Sequence, residues 1–162
     1  MNIRANDGNG MTLIETVLYL ALFALIFISV MQFSLAVAES NRAAVSRNKV
    51  EHTLIFVTEH LGLRFEEAQS INEGLTLLET NGGVLCLTSN GEDVTYSVSN
   101  GILQFSESGV VSALSNSSVV VESFYLEEVL DNVDQLVGIR LTLEIASKDG
   151  TYSDSIVTAY TL

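Results

Sequence analysis

The feature that most constrains this chain is a long stretch without charge. Between Arg4 and Arg42 there is no lysine or arginine, and Val17 to Val30 (VLYLALFALIFISV) carries only Tyr19 and Ser29 as polar groups. A helix that is apolar on every side has to be covered by lipid or by other protein. Taken from Met11 to Val37, the segment holds about 27 residues, a helix of roughly 40 Å at 1.5 Å per residue. The hydrocarbon core of a bilayer is about 30 Å thick, so such a helix crosses it with some tilt.

From Glu39 onward the chain reads as an ordinary soluble sequence, so its mean hydropathy of +0.36 averages two different kinds of segment. The formal charge is −13, and the apolar helix contributes only Glu15 to it. Nearly all the acidic excess therefore follows Ser40. Such a surface repels nucleic acid phosphates, whose binding depends on neutralisation by Lys and Arg. It also repels the anionic face of a bilayer. No nucleic acid partner is expected. The single cysteine, Cys86, excludes an internal disulfide, and the absence of proline leaves every helix unbroken by one.

Residues Met1 to Gly10 (MNIRANDGNG) are polar and rich in Gly and Asn, which suits a detachable leader or a tail. The helical pattern outlasts the apolar run. Val50, Leu54, Val57 and Leu61 recur at the four-three-four spacing of one buried stripe, with Arg42, Arg47, Lys49, Glu51 and Glu59 on other faces. One helix from Met11 to about Leu61 is the economical reading, with Gly62 as its terminator.

After about Ser70 the period becomes that of strands. Val94, Tyr96 and Val98 alternate with polar residues, Asn100-Gly101 follows, and Leu103 and Phe105 alternate again, which predicts a hairpin with a primed turn. Ile139, Leu141, Leu143 and Ile145 predict a half-buried strand. Lys148-Asp149-Gly150 turns the chain into a last strand near Ser155 to Leu162. Leu75 to Leu78, Val84 to Leu87 and Val119 to Leu126 are shorter candidates. The expected fold is α+β, a long N-terminal helix packed through its amphipathic half on an antiparallel β-sheet domain. The organisation is a leader over 1–10, a transmembrane helix over 11–61 and a β domain over 62–162.

Gly10-Met11-Thr12-Leu13-Ile14-Glu15, set directly before the apolar run, resembles the processing site of type IV prepilins and of type II secretion pseudopilins. The resemblance covers the leader and the apolar helix, with the helix-then-sheet order as softer support. It implies that a prepilin peptidase cuts between Gly10 and Met11 and that the new amine of Met11 is methylated. Glu15 then becomes the fifth residue of the mature chain. A carboxylate in hydrocarbon costs a few kcal/mol and needs a partner. In the family that partner is the N-terminal amine of an adjacent subunit, here that of Met11.

Thr12-x-x-Glu15 is also a capping box, and one carboxylate can serve both purposes. Asn9 stands where the family often has a basic residue, Met11 where Phe is commonest, and Gln32 near the place of a frequent proline. These departures point toward a minor pilin or a pseudopilin. The resemblance implies other pilin or pseudopilin subunits, the peptidase and a membrane as partners. It implies a single-pass precursor in the bacterial cytoplasmic membrane, then an extracellular or periplasmic filament. Counting Lys and Arg alone would put the far end of the span inside, with Arg42, Arg47 and Lys49. The resemblance puts the leader inside instead.

Two rival readings share the hydropathy. Ala36-Val37-Ala38 before Glu39 has the form of a signal-peptidase site, which would release a secreted β domain, although Met11 to Phe33 exceeds the usual 7–15-residue apolar region. A single-pass anchor presenting a binding module is the other. An enzyme is not expected, and no cofactor. His52 and His60 are eight residues apart, which is not the one-turn spacing of a helical zinc site, and read as solvated or partner-facing. Cys86, between Leu85 and Leu87, reads as a buried thiol in a strand. Asp131, Asn132 and Asp134, or Asp149 and Asp154, offer hard oxygen ligands without a complete calcium pattern and read as turn residues.

Overall fold

The computed structural model describes residues 12–132 and 135–162. Helix α1 spans Leu13–Glu67. Among the described residues eight strands follow: β1 Ser70–Ile71, β2 Leu85–Ser89, β3 Glu92–Ser99, β4 Ile102–Glu107, β5 Val110–Ala113, β6 Val119–Leu130, β7 Leu136–Ser147 and β8 Ser153–Thr161. The fold is α+β, and the second half of the helix packs on antiparallel sheets as expected. The chain divides into two units, one ending at Arg42 and one running from Ala43 to the end.

In the second unit the helix buries Ser46, Val50, Thr53, Leu54, Val57, Leu61 and Phe65. The four predicted stripe residues are all there, extended by a turn at each end. The helix does not stop at Leu61 but runs on to Glu67. Packing overrides the glycine: Phe65 is buried and stacks on Tyr160 with ring centroids 4.9 Å apart, which holds the last turns in place. The chain leaves only when the Gln69 amide donates to the Thr88 carbonyl at 2.8 Å and enters β1.

Gly62 lies under the ring of Tyr160, whose hydroxyl donates to the Thr58 carbonyl at 2.9 Å. A Cβ at Gly62 would meet the Tyr160 ring at 3.7 Å, an ordinary contact. Gly62→Ala should therefore stabilise the fold by about 0.5–1 kcal/mol, the helix-propensity difference. Thermal unfolding of the two proteins checks this; a lower melting temperature for the alanine variant would show that the ring cannot give way.

The strands form two sheets, in the orders β1-β2-β3-β4-β5 and β6-β7-β8, with every neighbouring pair antiparallel. The first sheet is a meander whose turns repeat one solution. Asn90-Gly91, Asn100-Gly101 and Ser108-Gly109 each hold two successive residues at positive φ, the type I′ geometry that matches strand twist. The predicted pairing of β3 with β4 across Asn100-Gly101 is present, with Ser99 opposite Ile102.

In the second sheet Ile139, Leu141, Leu143 and Ile145 of β7 are all fully buried, as their alternation predicts. Val119, Val121, Phe124 and Leu126 of β6 lie beside them in the same core. The outer edge of β6 is covered. Glu79 donates its amide to the Leu126 carbonyl, Gly82 and Gly83 donate to Phe124, and the Val121 amide donates to the Gly101 carbonyl at 2.8 Å.

Leu75 to Leu78 do not form a strand. The amides of Leu75 and Thr76 turn back to the Asn72 carbonyl, and only Leu77 makes a bridge, to Val84. Leu75 and Leu77 point to solvent, and only Leu78 of this segment packs against the core.

Candidate assembly surface

The first described residue, Thr12, caps the helix. Its Oγ1 accepts the Glu15 amide at 3.4 Å, and its carbonyl accepts the Thr16 amide at 3.1 Å. This places Glu15 at the third helical position, where its negative charge also meets the positive end of the helix dipole. The Thr12 half of the expected capping box is thus formed, and it fixes Glu15 on an exposed first turn. The other two predicted site residues, Gly10 and Met11, lie outside the described residues, as does the proposed leader.

Beyond Glu15 no charged residue occurs until Glu39. Two hydroxyls in this stretch are satisfied within the helix, Thr16 donating to the Thr12 carbonyl at 3.2 Å and Ser29 to the Leu25 carbonyl at 2.9 Å. Such back-bonding lets a hydroxyl sit among hydrocarbon without an external partner. Every residue from Thr12 to Arg42 is exposed. Large apolar side chains from Leu13 to Val37 stand at 48–84% exposure, and the most apolar 18-residue window has a mean hydropathy of 2.4 with none of it buried.

Magnitude decides what this means. Burying a large apolar side chain is worth about 1.5–3 kcal/mol, so leaving the whole run in water would cost tens of kcal/mol. That exceeds the 5–15 kcal/mol by which an ordinary domain is stable at all. The helix from Leu13 to Val37 is long and apolar enough to be a membrane anchor, and its surface is built to be covered by lipid or by other helices.

The second unit has polar features of a different kind. Asp149, in the turn between β7 and β8, accepts Thr151 Oγ1 at 2.7 Å and Ser46 Oγ of the helix at 2.9 Å. The hydroxyls of Ser147, Thr151 and Ser46, with the Thr151 amide, hold its carboxyl well below the usual carboxylate range. A carboxylate with a depressed pKa stabilises the fold above its unfolded value, near 3.8, and loses that contribution as pH falls further. Asp149→Asn, which carries no ionised carboxylate at any pH, should therefore lower stability near neutrality, flatten the acid limb below about pH 4 and bring the two proteins together at the acid end. Urea titrations at a series of pH values check the slope; an unchanged acid limb would remove Asp149 as its source.

A groove of about 500 Å³ runs beside the helix, walled by Val45, Lys49, His52 and Phe56 with Leu114 and Asn116 opposite. His52 faces this groove and is exposed, as expected. His60 is half-buried instead. It packs among Phe56, Tyr96 and Phe105, with centroids 5.2–6.2 Å away, and burial followed by the nearby Arg64 lowers its pKa. Its position one turn beyond Phe56 on the helix is the signal that could have placed it there.

Cys86 is fully buried in β2, where Thr95 Oγ1 donates to its sulfur at 3.6 Å and burial raises the thiol. Asp131 accepts the Gln135 amide as a turn residue does, whereas Asp154 lies in strand β8 and accepts the Ser155 amide. Asp134 lies outside the described residues. Among the described residues no three His, Cys, Asp or Glu side chains converge as metal ligands would.

No family model, no curated protein and no solved structure matches this chain. Its functional reading therefore rests on its own residues.

Proposed function

We propose that this chain is a prepilin-like subunit, cut after Gly10, methylated at the amine of Met11 and assembled as a minor component of a type IV pilus or pseudopilus. The observation that carries this reading is positional. The Gly10-Met11-Thr12-Leu13-Ile14-Glu15 motif comes directly before an apolar helix surface that none of the described residues covers. A membrane anchor alone explains the apolar run and leaves Glu15 only its cap and dipole role, against a cost of a few kcal/mol in hydrocarbon. In a filament, Glu15 has a partner in the Met11 amine of a neighbour, and the apolar side chains exchange lipid for other helices.

The rival cut after Ala38 has less support. Ala36 to Glu39 lie inside the continuous helix Leu13–Glu67, hydrogen-bonded on both sides. Peptidases cut extended, accessible chain, which the Gly- and Asn-rich sequence before Met11 favours.

Gly10→Val tests the processing step. Expressed in a host with an active prepilin peptidase, the variant should keep the mass of the full precursor while the parent chain is shortened. A variant that matures to the same mass as the parent would show that Gly10 does not direct the cut.

A further inference from the structure

Two strands in this fold contain no buried residue, β5 and β8, and each ends a different sheet. β8 is nine residues long, about 30 Å of extended chain, and pairs with β7 in unbroken register from Gly138–Thr161 to Ala146–Ser153. The pairing fixes which of its backbone groups are free. The Leu162 amide donates to Val137 and the Ser147 amide to the Tyr152 carbonyl, so the even-numbered residues face β7. Ser153, Ser155, Val157, Ala159 and Thr161 therefore turn their amides and carbonyls outward. Among the described residues none of these groups has a backbone partner, and only the Ser155 amide has a side-chain one, Asp154.

Natural edge strands are normally shielded by proline, lysine, bulges or short length. β8 has none of these, whereas the outer edge of β6 in the same sheet is closed by Glu79, Gly82, Gly83 and Gly101. β5 is the matching edge of the other sheet. Val110 pairs with Glu107 to close a two-residue turn, so Val111 and Ala113 direct their backbone groups outward. Val110 and Val111 are 65% and 62% exposed.

Charge selects the occupant. The soluble unit carries nearly all of a −13 excess, so copies of it repel one another over most of their surface. β5 (VVSA) has no charge and β8 (SDSIVTAYT) only Asp154, so these edges are where two copies meet at least electrostatic cost. Each copy carries both halves of the contact. Two different patches on one chain give a head-to-tail interface, the kind that builds an open filament when its rotation does not close a ring.

We propose that the outer edge of β8 pairs, as an added strand, with the outer edge of β5 in a second copy of this chain. This rests on the filament reading, because helices bundled side by side hold the two edges at high local concentration.

Short bis-maleimide crosslinking of cells that express the full chain tests the pairing. Cys86 is fully buried, so only introduced thiols react. Val111→Cys with Val157→Cys in one chain should give a ladder of dimers, trimers and higher species, and each single variant should give none. Adding Ala159→Pro removes one outward amide but no bond to β7, so it should abolish the ladder and leave the melting temperature of the detergent-extracted chain unchanged. Absence of a ladder overturns the pairing, whether or not the protein appears in a sheared filament fraction, and that fraction reports separately on assembly. Dimers alone from the single Val157→Cys variant would mean that β8 meets β8, and a ladder that survives Ala159→Pro would mean contact without strand addition; either result overturns the proposal.

Discussion

Glu15→Leu is expected to take the chain out of the filament while leaving it in the membrane and cleavable. Glu15 is the one charged residue between Thr12 and Glu39, and it sits exposed on the first turn of the helix. In lipid such a carboxylate is a liability of a few kcal/mol, which in the proposed filament the Met11 amine of a neighbouring subunit would relieve. Leucine removes both the liability and the partner. The helix then becomes more stable in the bilayer and less stable in a bundle, so the balance moves the same way twice. A shift of about 2 kcal/mol corresponds to a roughly thirtyfold change in partition.

The sheared filament fraction should fall by about tenfold or more, with the membrane fraction retained. Glu15→Asp, which keeps the charge on a shorter arm, should recover part of the loss. The cap itself does not confound the comparison, because the Glu15 bond to Thr12 Oγ1 uses the backbone amide and survives either substitution. Normal incorporation of the leucine variant would remove Glu15 from the mechanism.

The second large effect is on stability. Leu61 is fully buried midway between Val57 and Phe65 on the helix stripe that meets the sheets. Leu61→Ala removes three carbons from a packed interior and should cost about 2–5 kcal/mol, a large share of the 5–15 kcal/mol typical of a domain. Its neighbour Gly62 gives the opposite expectation for the same replacement residue, because Gly62 faces Tyr160 with room for a methyl group. Chemical denaturation of the two variants therefore tests the helix register directly. A loss of less than 1 kcal/mol for Leu61→Ala would mean that the stripe does not carry the core.

The parts of the fold that were legible in sequence are those set by period alone. Val50, Leu54, Val57 and Leu61 repeat as a helix face must, Ile139 to Ile145 alternate as a half-buried strand must, and both patterns lie in the core. Asn100-Gly101 marks its hairpin because few dipeptides accept two positive φ values. Asn90-Gly91 carries the same signal, but the strand before it, Leu85–Ser89, is a short run with little alternation to flag it. Ser108-Gly109 makes the same turn with a residue that seldom announces it.

Helix termination and the division into two sheets depended on partners distant in sequence. Gly62 does not end the helix because Phe65 stacks on Tyr160, and no local pattern encodes that pair. The same holds for Asp149, which reads as a turn residue and also clasps Ser46 of the helix. Of the candidate site, the apolar surface and Glu15 were legible because charge and hydropathy along a chain need no tertiary knowledge. The open edges of β5 and β8 became visible only once the register showed which amides face outward.

The most direct test of the central claim is the intact mass and N-terminal sequence of the chain expressed in a host with prepilin peptidase activity. A start at Met11 with one added methyl group is the predicted result, and it would establish the processing on which filament assembly depends. A start at Glu39, or an uncut chain beginning at Met1, would contradict it.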